Sequence, residues 1–413
     1  MRRQLEGSRA VAETVALCRP QVVPAYPITP QTHIVEALGV MVKQGTLAGC
    51  EFLTVESEFG AMSAAIGASA AGARAYTATA SQGLLYMAEA LFNAAGLGLP
   101  IVMTVANRAI GAPINIWNDQ SDSMSQRDCG WVQLYATDNQ AAIDLHVIAF
   151  ALADELSVPV MVCVDGFVLT HAFEPLDVPS QDQVDDVLPA GHPRQRLDPD
   201  DPVSIGAMVG PEAFTEVRYL SQYQLVQAIE AFPEVAHRLG ARVGRERSMV
   251  EPYWTGRPDT VIVTLGSVTG TVQDVADEVG GDVGVLAITM FRPFPYTQVR
   301  AALEGVRRVI VLERAFAPGA AGIVTADVRT AVAGWPCEIH TVVAGLGGRA
   351  VSKASLHEML RAAAADELGE VSFLDLRHDI VDREIARLRH TRGGGSTTLN
   401  VLREAGIPGS RIG

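Results

Sequence analysis

The sequence contains few cysteines, and none of the five belongs to a recognisable paired motif. They are scattered at positions 18, 50, 129, 163 and 337, without a C-x-x-C pair. An odd, scattered set is typical of a reduced cytoplasmic protein rather than of a disulfide framework. The spacing also excludes a recognisable iron–sulfur or structural zinc ligand set made from this chain's own cysteines.

Long apolar segments and runs of like charge are also absent. The longest apolar stretch, residues 147–164, is interrupted by Asp154 and Glu155, so we expect no membrane span. The N-terminus begins Met1-Arg2-Arg3 but lacks the apolar segment of a signal peptide, which predicts a soluble cytoplasmic protein. A formal net charge of −15, without a run of five like charges, argues against nucleic-acid binding.

Several catalytic signatures are missing. There is no P-loop motif, no G-x-G-x-x-G after a strand, no G-x-S-x-G, and no histidine or cysteine cluster that predicts a metal site on this chain. Residues 266–270, Gly-Ser-Val-Thr-Gly, stand between a predicted strand and helix. They could hold an anion at the helix N-terminus, or form an ordinary turn.

What the sequence does contain is two successive α/β patterns. Residues 1–170 alternate apolar strands with helices, and this alternation predicts a doubly wound parallel sheet whose ligands bind beyond the carboxyl ends of the strands. The predicted strands are 22–26, 52–55, 75–79, 101–105, 132–135 and 160–164. The predicted helices are 32–43, 58–71, 84–95 and 141–156.

The remaining chain divides into three further segments. We interpret residues 171–257 as a connecting arm with one helix at 222–231, which could resume after Pro233. Residues 258–370 predict a smaller α/β domain with strands at 260–265, 283–288 and 309–313. Residues 371–413 predict a charged helix at 380–390 and a flexible tail that begins with the glycines of 393–396.

Two clusters at predicted strand ends contain a hydroxyl or carboxyl group that could carry chemistry. In Tyr26-Pro27-Ile28-Thr29-Pro30 the prolines fix the backbone, so Thr29 either presents its hydroxyl to a ligand or simply starts a helix. Glu56 and Glu58 stand where a strand gives way to a helix rich in small residues. They are either ordinary helix-start carboxylates, or one of them is partly buried and exchanges a proton with a heterocycle.

Two further clusters follow the next strands. Residues 77–83, Thr-Ala-Thr-Ala-Ser-Gln-Gly, suit a loop that contacts a ligand, although an ordinary turn has the same composition. Arg108 follows an apolar strand, where a guanidinium can bind a small carboxylate with two hydrogen bonds. The alternative is a structural ion pair with Asp119 or Asp122.

Together these clusters resemble, in order and spacing, the α subunits of pyruvate and branched-chain 2-oxoacid:ferredoxin oxidoreductases. The resemblance covers roughly residues 8–360. The segments that carry it are 26–30, 55–60, 77–83, 107–109, 117–120, 125–128, Gly130-Trp131, 292–295, 312–314 and 345–349.

The resemblance implies a thiamine diphosphate enzyme that decarboxylates a 2-oxoacid, passes electrons to ferredoxin and forms an acyl-CoA. It implies a pyrimidine-binding domain followed by a domain like the C-terminal domain of transketolase. Glu58 matches the catalytic glutamate that hydrogen-bonds the pyrimidine, whereas Glu56 is left as structural. Thr29 and Arg108 match substrate-binding positions. The cofactor-binding positions would be Pro27, Glu58, Thr79 and Gln82.

The resemblance also implies that this chain is half of a site. Thiamine enzymes hold the diphosphate and Mg²⁺ with a G-D-G motif and a downstream asparagine, and only Val164-Asp165-Gly166 stands here. A β subunit would supply that motif, Mg²⁺ and a 4Fe-4S cluster; γ and δ subunits or domains, ferredoxin and CoA would complete the reaction. Pyruvate is the expected substrate and a branched-chain 2-oxoacid the alternative. A thiamine-dependent dehydrogenase or transketolase-type component, or a non-catalytic scaffold paralogue, remain competing interpretations.

Overall fold

Two parallel sheets organise the computed structural model, which describes residues 2–188, 196–390 and 396–407. The strands are β1 (Arg3–Glu6), β2 (Val22–Ala25), β3 (Glu51–Thr54), β4 (Ala75–Thr79), β5 (Ile101–Asn107), β6 (Val132–Tyr135), β7 (Val160–Asp165), β8 (Phe173–Leu176), β9 (Val250–Tyr253), β10 (Thr260–Thr264), β11 (Val283–Ile288), β12 (Met290–Arg292), β13 (Arg308–Glu313), β14 (Glu338–Val343) and β15 (Val371–Phe373).

The helices alternate with these strands. They are α1 (Gly7–Leu17), α2 (Thr32–Lys43), α3 (Glu58–Ala70), α4 (Ser81–Tyr86), α5 (Ala88–Gly96), α6 (Ser121–Ser125), α7 (Asn139–Leu156), α8 (Gln181–Asp185), α9 (Phe214–Val243), α10 (Val268–Val279), α11 (Tyr296–Ala302), α12 (Ile323–Ala331), α13 (Lys353–Ala364), α14 (His378–His390) and α15 (Thr397–Glu404).

The first sheet has the order β12-β6-β7-β5-β4-β2-β3, and all of its strands are parallel except the edge strand β12. Every residue of β4, β5, β6 and β7 is buried because helices cover both faces, which explains why these strands are apolar almost throughout. The predicted doubly wound sheet is confirmed. The opposite edge strand, β3, is mostly exposed.

The second sheet has the order β15-β14-β13-β10-β11-β9, with only β9 antiparallel. Four strands cross the divisions expected from the sequence. β8 lies in the predicted arm and pairs with β1, and β15 lies in the predicted tail and joins the second sheet. β9 lies in the predicted arm and joins the second sheet, whereas β12 lies in the predicted second domain and joins the first. A small two-stranded sheet pairs β1 with β8. The domain boundaries therefore stay a prediction, although the two α/β units are both present.

The arm is more regular than its composition predicts. Its helix, α9, runs for 30 residues without a break at Pro233, whereas the sequence predicted a helix at 222–231 that could resume after Pro233. Buried Phe232, Val235 and Leu239 lie in the same core as the apolar face of α7, and this packing offsets the hydrogen bond that Pro233 cannot donate. Residues 189–195, which begin the proline-rich part of the arm, lie outside the described residues.

A buried carboxylate ties the segment after α9 to the first sheet. Asp144 in α7 accepts hydrogen bonds from Arg245 at 2.8 Å and from Arg247 at 2.9 Å. Because Asp144 is almost completely buried, two guanidinium partners compensate the cost of removing its charge from water. The ion pairs of Arg245 and Arg247 with Asp144 thus hold the end of the arm against the first domain.

The predicted helix 84–95 is two helices. α4 ends at Tyr86 and α5 begins at Ala88, with Met87 between them. Both helices pack against α3, and Met87 is fully buried at the break. α4 starts three residues earlier than predicted, at Ser81, shortly after β4.

The two sheets meet in a polar junction around Asp165. Its carboxylate accepts hydrogen bonds from the Ser267 backbone N–H at 2.8 Å and from the Ser267 hydroxyl at 2.5 Å. Arg314 donates to Asn118, and the backbone N–H of Gly347 donates to Asp119 at 2.9 Å. The sequence indicated that residues 266–270 could hold an anion at the start of a helix. The group bound there is the carboxylate of Asp165, and this contact holds the start of α10 against the first sheet.

The last described elements form a helical pair. Asn400 of α15 donates to Glu384 of α14 at 2.9 Å, and Arg387 pairs with Glu404 at 2.7 Å. Residues 393–395 of the predicted flexible break lie outside the described residues. Across the described ranges, no helix combines the length and the apolar character that crossing a bilayer requires.

Candidate active site

The residues predicted to bind cofactor and substrate lie along the carboxyl edge of the first sheet. Pro27 and Thr29 stand in the loop after β2, and Glu58 is the first residue of α3 after β3. Thr79 ends β4, Gln82 lies in the first turn of α4, and Arg108 follows β5. Because β2, β3, β4 and β5 are neighbours in one sheet, four separate loops meet at this edge.

The two candidate glutamates differ in exposure. Ser57 caps α3 by accepting a hydrogen bond from the Gly60 N–H at 3.1 Å, and this cap fixes the direction in which the helix starts. Glu58 is then only 8% exposed, whereas Glu56 stays exposed beside Gly60. Of the two carboxylates, Glu58 is the one that faces the interior of the site.

Glu58 and Thr79 meet across Gly83. A Cβ at Gly83 would lie 2.6 Å from both Glu58 Oε1 and Thr79 Oγ1, so the glycine leaves room that any side chain would fill. The fully buried Thr79 hydroxyl finds no hydrogen-bond partner among the described residues. A carboxylate beside an unsatisfied buried hydroxyl fits the polar edge of a bound heterocycle.

Arg108 is buried, yet no carboxylate pairs with its guanidinium in the described parts of the chain. Nη1 donates to the Thr29 carbonyl at 2.8 Å, Nη2 to Gln82 Oε1 at 3.4 Å, and Nε to the Asn115 carbonyl at 3.2 Å. Burial lowers the pKa of Arg108 from its ordinary value, and the charge of Asp122 only partly opposes that shift. The guanidinium therefore carries a charge that no carboxylate of the described residues neutralises directly.

The donor count of Arg108 suits a carboxylate ligand. A guanidinium has about five N–H donors, and the three contacts with the chain leave one N–H on each terminal nitrogen without an acceptor among the described residues. Two parallel N–H donors are what a carboxylate accepts in a bidentate pair. The alternative of a structural ion pair with Asp119 or Asp122 is not what the structure contains.

Asp122 connects two loops of the candidate site, and sequence reasoning missed this position. Its carboxylate accepts hydrogen bonds from the backbone N–H groups of Arg108 at 3.0 Å and Ser81 at 2.9 Å, and from Asn107 Nδ2 at 2.8 Å. Complete burial raises the pKa of Asp122 to about 7, a shift that these donors oppose. The sequence indicated Asp122 only as a possible ion-pair partner of Arg108. Its contacts with the backbone of Ser81 and Arg108 depend on how three loops meet in space, which the sequence does not show.

The loop after β2 is held through its backbone carbonyl groups, which accept hydrogen bonds from two side chains. Gln31 Nε2 donates to the Tyr26 carbonyl at 3.0 Å, and Arg108 holds the Thr29 carbonyl. The Thr29 and Pro27 side chains are themselves exposed. Thr29 is thus brought to Arg108, and its hydroxyl is free to contact a ligand.

Gln82 and Gly83 connect the two halves of the site. Gln82 accepts from Arg108 on one side, and Gly83 adjoins Glu58 and Thr79 on the other. Because these residues are consecutive in the first turn of α4, the guanidinium and the buried carboxylate are held in one rigid arrangement. Arg108 thus contacts both Thr29 and Gln82. Glu58 and Thr79 form a second group around Gly83, and the first turn of α4 connects the two groups.

Three apolar side chains that neighbour the candidate residues along the chain are exposed. The rings of Phe59 and Tyr86 lie 6.2 Å apart and are both exposed, and Ile114 in the loop after Arg108 is 80% exposed. Exposed apolar groups beside a polar pocket are typical of a surface that another chain covers.

The class of the protein follows from its two α/β units. Both match domains of an oxidoreductase family, and the first of them is a thiamine diphosphate-binding domain. Residues 13–237 match the family model described as "Pyruvate flavodoxin/ferredoxin oxidoreductase, thiamine diP-bdg", and residues 258–356 match "Pyruvate:ferredoxin oxidoreductase core domain II". The chain belongs to the pyruvate flavodoxin/ferredoxin oxidoreductase family, as the sequence resemblance predicted.

Curated relatives agree over nearly the whole chain. It is 41% identical over 390 residues to pyruvate synthase subunit PorA of Methanosarcina barkeri, covering 91% of this chain and 97% of that protein. It is 39% identical over 356 residues to ketoisovalerate oxidoreductase subunit VorA of Pyrococcus abyssi, covering 84% of this chain and 90% of that protein.

A solved structure shares the fold. The 2-oxoglutarate:ferredoxin oxidoreductase from Magnetococcus marinus, with 2-oxoglutarate, coenzyme A and succinyl-CoA bound, matches with a TM-score of 0.65 at 19% identity. The match covers 89% of this chain but 65% of that chain, so the present chain spans about two thirds of its length. At this identity the likeness concerns the fold alone.

Proposed function

We propose that this chain is the α subunit of a pyruvate:ferredoxin oxidoreductase, which with its partners converts pyruvate and CoA to acetyl-CoA and reduces ferredoxin, or runs the reverse reaction. The observation that carries the proposal is the buried Arg108 guanidinium, which has two N–H donors without an acceptor among the described residues and lies at the same sheet edge as buried Glu58. Several relatives at about 40% identity are named pyruvate synthase subunit PorA, which favours pyruvate.

Thiamine diphosphate fits the Glu58 side of the site. Glu58 and the unsatisfied Thr79 hydroxyl would hold its pyrimidine edge, with Gln82 and the exposed Pro27 beside it. When bound, thiamine diphosphate supplies the carbon nucleophile and the electron sink that decarboxylation requires. The role of Glu58 is to hold or move a proton at the pyrimidine ring nitrogen, and burial at the start of α3 keeps water from competing for that proton.

The substrate carboxylate would bind on the Arg108 side. Nη1 and Nη2 donate its two hydrogen bonds, while the Thr29 hydroxyl contacts the keto-acid oxygens. The contacts of Arg108 with Thr29 and Gln82 fix the orientation of the guanidinium before substrate arrives. Such preorganisation places the keto carbon toward the cofactor without a further ordering step.

The remaining parts of the reaction are assigned to partners. In this proposal a β subunit supplies the diphosphate and Mg²⁺ motif and a 4Fe-4S cluster, γ and δ subunits or domains complete the complex, and ferredoxin and CoA bind there. The lack of a G-D-G motif and the exposed Phe59, Tyr86 and Ile114 around the site support a shared active site. The cytoplasmic location expected from the sequence stays a prediction.

A branched-chain 2-oxoacid is the second candidate substrate, because the VorA relatives are 38–39% identical and nearly as similar as the PorA proteins. Family membership argues against the dehydrogenase or transketolase-type interpretation. The non-catalytic scaffold interpretation is decided by whether Glu58 matters for turnover.

The proposal is tested with the purified complex co-expressed from this chain and the neighbouring reading frames. We expect CoA-dependent reduction of ferredoxin or a viologen with pyruvate, and a lower kcat/KM with 2-oxoisovalerate and 2-oxoglutarate. A higher kcat/KM with 2-oxoisovalerate would replace pyruvate by the branched-chain substrate. No reduction with any 2-oxoacid, from a complex that contains thiamine diphosphate and its clusters, would contradict the assignment as a catalytic subunit.

A further inference from the structure

Beside the loop that carries Thr29, a second group of potential ligands lies outside the catalytic site. Glu6 is the last residue of β1, His33 is the second residue of α2, and His171 lies in the turn between β7 and β8. One ligand atom from each lies within 4.8 Å of the others. Glu6 Oε1 is 2.7 Å from His33 Nδ1, and the two imidazole rings are 4.8 Å apart.

We infer that Glu6, His33 and His171 form a binding site for a divalent transition-metal cation of the Zn²⁺ type. Two imidazoles and one carboxylate are a common three-ligand set for zinc and leave at least one position for water. Bonds of about 2.0–2.2 Å place such ligand atoms roughly 3.5 Å apart, so His33, whose side chain is 49% exposed, needs to move only slightly.

The backbone holds two of the three ligands in place. β1 and β8 pair so that Glu6 lies opposite Phe173, and Gly7 donates to the Ala172 carbonyl at 3.0 Å. Ser8 donates to the Thr170 carbonyl through both its backbone N–H and its hydroxyl. Hydrogen bonds on each side of Glu6 and His171 therefore reduce the entropy that is lost when a metal orders the site.

A neighbouring hydroxyl orients His171. Thr170 Oγ1 lies 2.7 Å from His171 Nδ1 and accepts a hydrogen bond from the Phe167 N–H at 2.8 Å. With Nδ1–H donated to Thr170, the lone pair of Nε2 is available to a metal, which is the usual outer-shell arrangement of a metal-binding histidine.

The position of the site gives the metal a structural consequence. His33 follows Thr29 by four residues, and Pro30 packs so closely on Gly166 that a Cβ there would lie 2.6 Å from Pro30 Cγ. A cation at this position would join the N-terminal strand, the first turn of α2 and the turn after β7. It would stabilise the base of the Thr29 loop, whatever the enzyme's substrate.

The inference is tested on the untagged, full-length chain after removal of metals with a chelator. Zinc is titrated against a competing chromophoric chelator, and Co²⁺ serves as a spectroscopic probe. We expect one Zn²⁺ per chain, and a Co²⁺ spectrum with visible d–d bands and no sulfur-to-metal charge-transfer band. His33→Ala and His171→Ala remove this binding, and Thr170→Val weakens it roughly tenfold or more by removing the hydroxyl that orients His171.

The control is His237→Ala, because His237 also pairs with a glutamate, Glu246 at 3.0 Å, but belongs to no group of three potential ligands within the described residues. It should retain one Zn²⁺ per chain. His33→Ala removes a partly exposed side chain, so loss of zinc from that variant with an unchanged circular dichroism spectrum cannot be attributed to unfolding. Failure of the wild-type chain to hold zinc, or equal zinc affinity in the wild type and His33→Ala, would overturn the inference.

Discussion

Gly83 lies directly against Glu58, so that a methyl group on its Cα would come within 2.6 Å of Glu58 Oε1 and 2.8 Å of Glu58 Cγ. The absence of a side chain at residue 83 is thus what allows the carboxylate to sit at the carboxyl edge of the first sheet. Gly83 belongs to the segment 77–83, whose composition fits either a ligand-binding loop or an ordinary turn. Its contact with Glu58 connects this segment with the residue proposed to move the proton. The first prediction follows from this contact.

Gly83→Ala should lower kcat and weaken thiamine diphosphate binding while the chain stays folded. The added methyl group displaces the Glu58 carboxylate and the Thr79 hydroxyl, but alanine favours a helix over glycine by about 1 kcal/mol. Steady-state kinetics at varied cofactor concentration would measure both effects. Gly67→Ala is the control, because a Cβ at Gly67 in α3 meets nothing within 4 Å. Equal cofactor affinities in the two variants would show that Gly83 does not shape the pocket.

Glu58→Gln should reduce turnover by roughly a hundredfold or more, about 3 kcal/mol of activation free energy, because the amide cannot transfer the proton. Complex assembly should be unchanged, since glutamine has the same shape. Glu56→Gln, two residues earlier and exposed, is the matched control and should keep wild-type turnover. If Glu58→Gln turned over like the wild type, the scaffold interpretation would be favoured.

Arg108→Lys should raise KM for pyruvate by roughly tenfold to a hundredfold, because an ammonium group cannot provide the two parallel donors of the guanidinium. It would also lose the contact that orients the Thr29 carbonyl. Initial rates at varied pyruvate and saturating CoA measure the change. Arg19→Lys, in an exposed ion pair with Asp185, serves as the control and should leave KM unaltered. A KM for Arg108→Lys equal to that of the wild type would place the substrate carboxylate elsewhere.

The sequence predicts the positions of those site residues that depend only on the strand and helix next to them in the chain. Strand ends and helix starts place Glu58, Thr79 and Arg108 on one edge of the sheet, because parallel strands direct their carboxyl ends to the same side. Asp122 could not be assigned, since its role depends on Ser81 and Arg108, which come from two other loops. The same limit applies to Asp165 and Ser267, which are 102 residues apart.

Secondary structure was least predictable where packing overrides local signals. Pro233 predicts an interruption, yet α9 passes through it because its apolar face is buried in a core shared with α7. Glu6, His33 and His171 have no spacing motif at all, and only the pairing of β1 with β8 brings two of them together. Long-range pairing and tertiary burial therefore supply what the local pattern lacks.

Asp122→Asn should lower kcat/KM by roughly tenfold to a hundredfold, although Asp122 contacts neither cofactor nor substrate. An amide replaces one accepting oxygen by a donor, which then faces the N–H groups of Ser81 and Arg108, or of Asn107 and Ser123, and shifts one of the two loops. Because Asp122 is a positioning residue, the loss should fall on KM for pyruvate as well as on kcat. Asp128→Asn, on an exposed side chain, is the control. An unchanged KM would contradict the positioning role.

The pH dependence of stability should report on His146, which is buried in α7. His146 Nδ1 donates to the Ala142 carbonyl at 2.6 Å, and Nε2 accepts from the Thr104 hydroxyl at 2.6 Å, which in turn is bonded to Tyr76. Burial lowers the pKa of His146 from 6.5 to about 4, and the hydrogen bond to the Ala142 carbonyl only partly opposes this shift. The neutral ring therefore stabilises the fold above pH 6.5.

As the pH falls from 6.5 toward 4, the unfolded state takes up a proton that the folded state does not, so the fold loses about 3 kcal/mol over this window. Denaturant midpoints measured at pH 7.5 and pH 4.5 should show this loss in the wild-type chain. His146→Gln is less stable at neutral pH but should lose less between the two values, since glutamine does not titrate. The exposed control His237→Gln should follow the wild type. Parallel pH profiles for the wild type and His146→Gln would show that His146 is not the group responsible.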